Sequence, residues 1–151
     1  MEKGLKAVEL FESGYNCSQA IVLAFEEYLN LDKVTLQSLS SSFGGGISRL
    51  REVCGCVSGM AIVMGLLYGN YDVNDNQLKA KHYDLVQKLA LRFKEQTNSI
   101  NCAELLNKVK QVENPTPEIR NKEYYQKRPC SKYIKIMAEI IESELNNHGK
   151  D

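Results

Sequence analysis

The chain has no charge to spare. Its 19 Lys and Arg are matched by 19 Asp and Glu, so it lacks the long-range positive field through which proteins attract nucleic acids and anionic lipid surfaces. Neither is an expected partner. Only three prolines and ten glycines occur in 151 residues, against 43% hydrophobic residues and no tryptophan. That excludes a collagen-like or disordered chain and leaves enough apolar material for one core. No apolar run reaches the roughly 20 residues that span a bilayer. The longest, residues 53–68, is interrupted by Gly55, Ser58, Gly59 and Gly65 and reads as a buried helix at the centre of the fold. The N-terminus scatters charge and has no apolar run ahead of a small-residue cleavage site, so no signal peptide is expected. Finally, no Cys-x-x-Cys occurs, which argues against a thioredoxin-like pair and against the local motifs of zinc and ferredoxin sites.

What is present is helical periodicity. Apolar residues recur at helical spacing almost throughout and nowhere alternate convincingly, so the expectation is an all-α, compact helical bundle of about five to seven helices, one domain over residues 1–151. The first helix, about residues 2–13, carries Leu5, Val8 and Phe11 or Ala7 and Leu10 on a broad face and stops at Gly14. Asn16 with Gln19 forms a capping-box pattern for the second, whose stripe is Ala20, Ile21, Ala24, Phe25, Tyr28 and Leu29. A short helix over 35–40 precedes Ser40-Ser-Ser-Phe-Gly-Gly-Gly46, too glycine-rich for a regular element. A long helix over about 75–97 places Leu78, His82, Leu85, Val86, Leu89 and Phe93 inward. Asn101 caps another to about 112, and residues 111–129 read as a surface connection with one helical turn after Pro117. The last helix covers about 131–146, and residues 147–151 form a fraying tail.

Five cysteines stand on this map. Cys17 follows Asn16 and Cys102 follows Asn101, each at the first position of a helix. Cys54 opens the apolar helix, and Cys130 opens the last. Four cysteines separated by 36, 47 and 27 residues thus share one local setting. The first turn of a helix exposes unpaired N–H groups and about half a positive charge, and thiol pKa values of roughly 3.5–7.5 occur there or beside cations. Thiolates, nucleophilic and metal-binding, are therefore expected. Cys130 also lies in a segment, 118–135, with six Lys or Arg (Arg120, Lys122, Lys127, Arg128, Lys132, Lys135) against two Glu, a local balance of +4. Cys56 follows Cys54 by two; in a helix the two side chains point about 200° apart, so Cys56 is read as packing or an accessory thiol.

Cys54-Gly55-Cys56-Val57-Ser58-Gly59 resembles the Cys-Gly-Ala-x-x-Gly motif of the redox-active proteins called the C_GCAxxG_C_C family, which are of about this length and carry one cysteine before the motif and two after it. Cys17, Cys102 and Cys130 fall in those places, and Phe43-Gly44-Gly45-Gly46-Ile47-Ser48-Arg49 is similar to that family's glycine-rich approach. The likeness runs from about residue 14 to 130. Cys56 departs from it, standing where the motif has alanine. The resemblance implies redox chemistry with Cys17, Cys54, Cys102 and Cys130 as the working residues.

Three functions compete. In the first, those four cysteines converge as thiol/disulfide couples or as thiolate ligands of an iron–sulfur cluster or other soft metal, in an oxidoreductase or an accessory to one. In the second they hold a structural zinc, and in the third they merely pack inside a helical interaction protein. Three disulfide connectivities are open. Other candidates are weaker: His82 reads as a satisfied core histidine, His148 as part of the tail, Arg49 and Arg51 as solvated surface arginines with cations near the Cys54 thiolate as the alternative, and Tyr124-Tyr125 as a pin for the linker. Gly44–Gly46 lacks the Lys-Ser/Thr of a phosphate-binding loop. The expected setting is the cytoplasm, where thiols stay reduced, with a redox partner protein, no nucleic acid, no membrane insertion, and a homodimer as the assembly to test.

Overall fold

A computed structural model describes residues 2–109 and 111–148. They form the helices α1 (Glu2–Glu12), α2 (Cys17–Ala24), α3 (Lys33–Ser40), α5 (Gly55–Tyr68), α6 (Asn76–Thr97), α7 (Cys102–Leu105), α8 (Lys122–Lys127) and α9 (Cys130–His148), with a single turn, α4 (Gly44–Ile47), between α3 and α5. Among the described residues there is no strand; one isolated antiparallel bridge joins Val53 to Asn101. No helix among them is long and apolar enough to cross a membrane. The all-α reading holds, with eight right-handed helices where five to seven were expected.

The centre of the bundle is α2 rather than the more apolar α5. Ala20 to Phe25 are buried without a break, because α2 packs on α1, α3, α5 and α9 at once. Each fully buried aliphatic or aromatic side chain there contributes about 1.5–3 kcal/mol. The expected capping box closes its N-terminus: the Asn16 carboxamide oxygen accepts from the Gln19 amide at 2.9 Å, and the Gln19 side chain accepts from the Asn16 amide at 3.0 Å. α5 can lie against α2 because Gly59 has no side chain; a Cβ there would stand 3.0 Å from Ile21. The other side of α5 reaches solvent at Leu66. Leu5 and Leu78, expected inside, are exposed. α6 buries only Leu89 and Phe93 fully, and His82 is half-buried with its Nδ1 unpartnered, so it is not a satisfied core histidine.

Two boundaries differ from expectation. The helix capped by Asn101 ends at Leu105 instead of continuing to about 112, with Asn107 turned into the left-handed region at φ 56°. The last helix begins at Cys130 and runs through Asn147 to His148, whose ring stacks on Tyr68 at 4.7 Å. The rest of the expected tail, 149–151, lies outside the described residues. Tyr124 and Tyr125 do pin the linker, both meeting Phe11, Tyr125 edge-on at 5.8 Å.

Candidate functional site

The glycine-rich stretch before Cys54 is wound against the chain's own handedness. Gly45, Gly46, Ile47, Ser48 and Arg49 have φ of 72°, 69°, 66°, 49° and 71°, and Arg51 follows at 58°. This is one turn of left-handed helix, a geometry that costs roughly 1–2 kcal/mol per L-residue. It is closed by hydrogen bonds to its carbonyls: the Arg51 and Glu52 amides donate to the carbonyls of Gly45 and Gly46 at 3.2 and 2.9 Å. Gly46 is required twice over, by its φ and by space, since a Cβ would stand 2.6 Å from the Glu52 nitrogen and 2.7 Å from the Cys102 Cβ. The turn aims Arg49 and Arg51 inward. Neither is a solvated surface arginine; Arg51 is 4% exposed.

Beyond the turn, the chain pairs with the segment before α7. The Cys54 amide donates to the Ile100 carbonyl at 2.8 Å and the Cys102 amide to the Glu52 carbonyl at 2.6 Å, which fixes Cys54 and Cys102 on opposite sides of the Val53–Asn101 bridge. Asn101 caps α7 as expected, accepting from the Glu104 amide at 3.1 Å. Instead of a full capping box, the Glu104 carboxylate accepts from the Ser99 hydroxyl, which in turn accepts from the Asn101 amide. Cys17, Cys102 and Cys130 are the first residues of α2, α7 and α9, and Cys54 is the N-cap of α5.

All five cysteines line one cavity of about 430 Å³, together with Arg49, Arg51, Arg120, Arg128, Glu118, Phe11, Tyr124 and Tyr133. Their thiols are all free. Gly55 lets Cys17 in: a Cβ on Gly55 would lie 2.2 Å from the Cys17 sulfur. The segment 113–118 is tied down over the cavity by ion pairs. Glu113 pairs with Arg51 and with Lys108 at 3.0 Å, and Glu118 pairs with Arg128. Arg49 reaches Glu113 at 3.6 Å and Glu118 at 4.0 Å, and donates to the Asn114 carbonyl at 2.6 Å. The two carboxylates and their roof were invisible in the sequence, whereas the +4 segment pointed to Arg120 and Arg128.

The thiols do not behave as helix N-termini alone would make them. Burial pushes the Cys17 thiol up to about 12, helped by charge at Cys54 and Cys130 and opposed by the Gly45 amide. Burial likewise holds Cys130 at about 11 against Arg128, and raises Cys102 although the Arg51 guanidinium lies 3.6 Å from its sulfur. Desolvation disfavours the charged form more than one helix turn favours it. Cys54 is the exception. The Cys56 thiol turned toward its sulfur, and then the Cys56 and Val57 amides, outweigh burial and hold it below the usual thiol value. These approaches are looser than a cap hydrogen bond, which Cys54 does not make. The same S–H contact holds Cys56 well above its usual value. The reading of Cys54 and Cys56 as facing apart fails, since both line the cavity and Cys54 is not helical: at φ −54° and ψ 135° it sits just outside α5.

Thiolates are suitable donors for a soft metal. Among the described residues, however, no three His, Cys, Asp or Glu side chains form a set that could hold a metal ion. In this arrangement the described residues therefore offer no set of three thiolates for a metal ion or an iron–sulfur cluster.

No curated protein and no solved structure matches the chain. A family model described as "Putative redox-active protein (C_GCAxxG_C_C)" matches residues 15–144, which includes every cysteine and every arginine of the cavity. The chain belongs to the C_GCAxxG_C_C family.

Proposed function

We propose that the protein is a thiol–disulfide redox module in which Cys54 is the attacking thiol and Cys56 the proton donor and resolving thiol. The observation that carries this reading is the cavity lined by all five cysteines, with Cys54 and Cys56 buried two residues apart on its wall where α5 begins. Cys54 is the thiol readiest to ionise, and the thiolate is the nucleophile in exchange. Its sulfur attacks one sulfur of a substrate disulfide; the S–S bond breaks, a mixed disulfide forms on Cys54, and the departing sulfur takes up a proton. Cys56 then loses its proton and attacks the Cys54 sulfur, expelling the second substrate thiol. Two protein thiols are oxidised to one disulfide while the substrate disulfide is reduced to two thiols. A dithiol donor reverses the change. Cys17, Cys102 and Cys130 keep their protons and wall the site.

The test is mass mapping of the fully reduced protein after brief exposure to a small disulfide. The reading requires a Cys54–Cys56 disulfide in the parent chain, a stable mixed disulfide on Cys54 in Cys56→Ala, and no adduct at this site in Cys54→Ser. A first adduct on Cys17 or Cys130, or unimpaired exchange in Cys54→Ser, overturns it.

A further inference from the structure

The cavity carries more positive charge than its own carboxylates neutralise. Around it stand Arg49, Arg51, Lys108, Arg120 and Arg128; the carboxylates that pair with them are Glu113 and Glu118. Arg120 has no ion pair among the described residues. One of its terminal nitrogens donates to the Phe11 carbonyl at 2.6 Å, and its guanidinium carbon stands over the Phe11 ring, 4.4 Å from its centre. Those contacts hold the head group in place and leave further N–H donors for a ligand. The N-termini of α2, α5 and α9 converge on the same space, adding partial positive charge. A 430 Å³ cavity is of the size that takes a small molecule.

We infer that the substrate of this site is a small anionic disulfide, one that carries carboxylates flanking its S–S bond. The inference rests on the thiol–disulfide reading above and adds the chemical class of the partner. Arg120 is the first point of contact because its charge is unspent. Arg49, Arg51 and Arg128 are shared with Glu113 and Glu118, so they complete the field rather than lose existing partners. A dicarboxylate brings the cluster close to neutrality. The step is the one already balanced, with two thiols of the protein oxidised to a disulfide and the anionic disulfide released as two carboxylate-bearing thiols.

Three symmetric disulfides of nearly equal size separate charge from shape: 3,3′-dithiodipropionate is a dianion, bis(2-hydroxyethyl) disulfide is neutral, and cystamine is a dication. The rate with the reduced full chain is divided by the rate of each reagent with a small neutral thiol, which removes intrinsic reactivity. The expected order is dianion, neutral, dication, with about tenfold between the first two at low salt and a smaller ratio in high salt. In Arg120→Gln the dianion-to-neutral ratio falls toward one, whereas Arg120→Lys keeps most of it. Equal corrected rates for all three reagents, a faster dication, or an unchanged ratio in Arg120→Gln overturns the inference while leaving thiol exchange standing. If none of the three oxidises the protein, the thiol–disulfide reading itself is lost.

Discussion

α5 and α9 start together at the cavity and finish together where Tyr68 stacks on His148, so the two ends of one helix pair can be compared. Along their length Met60, Val63, Met64, Met137 and Ile141 are buried against α2 and one another. At their beginnings Cys54 and Cys56 are buried and Cys130 half-buried, yet they face a hollow. In the filled part, exclusion of water is a source of stability. In the hollow part it is a chemical environment: burial raises the pKa of Cys17, Cys102 and Cys130 and so favours their protonated forms. One degree of burial thus does different work according to what is buried and whether the space is filled.

That division can be broken from either side. The largest effect expected is functional: Cys54→Ser removes thiol exchange at the cavity while the denaturation midpoint stays close to that of the parent chain, because the smaller hydroxyl faces the hollow rather than a packed contact. Its counterpart is Ile141→Ala, which leaves a cavity in the filled part and lowers the unfolding free energy by about 2–5 kcal/mol without changing the exchange rate of the folded fraction. Urea titration and stopped exchange on the two variants give the four numbers needed. Had both variants lost both properties, the two regions would be one.

Gly46→Ala tests the hollow end through its backbone. The new methyl meets the Glu52 nitrogen and Cys102, and alanine must hold φ 69°, so a loss of about 2–4 kcal/mol is expected, together with loss of the Arg51–Cys102 contact. Glu113→Gln loosens the roof and costs about 1–2 kcal/mol. The Arg51 guanidinium holds the Glu113 carboxyl at about 2, below its ordinary 4.5. A depressed carboxyl contributes its full stability above pH 4.5 and loses it as pH falls toward 2, so the difference between parent and Glu113→Gln, followed by urea titration, should shrink over that window. The smallest effect lies at the alkaline side. Cys130 and Cys17 are raised from 9.0 to about 11 and 12, so the stability tied to their protons is complete below pH 9 and declines as pH rises through 11 and 12. Thiolate absorbance should show Cys54 ionising first.

Features with a local cause were legible in the sequence. Asn16 with Gln19, and Asn101 with Glu104, announce helix starts because the cap is made within four residues, and this placed Cys17 and Cys102 correctly. The helix after Asn101 was drawn too long because apolar spacing continues through Leu105, Leu106, Val109 and Val112, while its end depends on Asn107 turning left-handed and on the ion pairs that draw Lys108 and Glu113 to the cavity. The pKa directions were misjudged for a similar reason. A helix terminus is visible in the chain, but the depth at which its cysteine is buried is a property of the assembled bundle. Arg49 and Arg51 looked like surface residues because nothing in the composition of Gly44–Gly46 specifies which way a permissive backbone will wind.

That winding has a stereochemical consequence. From Gly45 to Arg49 the backbone follows the path that D-residues prefer, so Arg49 and Arg51 are delivered to the cavity by a segment whose own chirality pushes it elsewhere. Glu113, by gripping Arg51, also holds a mirror-image turn in place. A chain synthesised with D-serine at position 48 should find this turn easier to form than the natural one does.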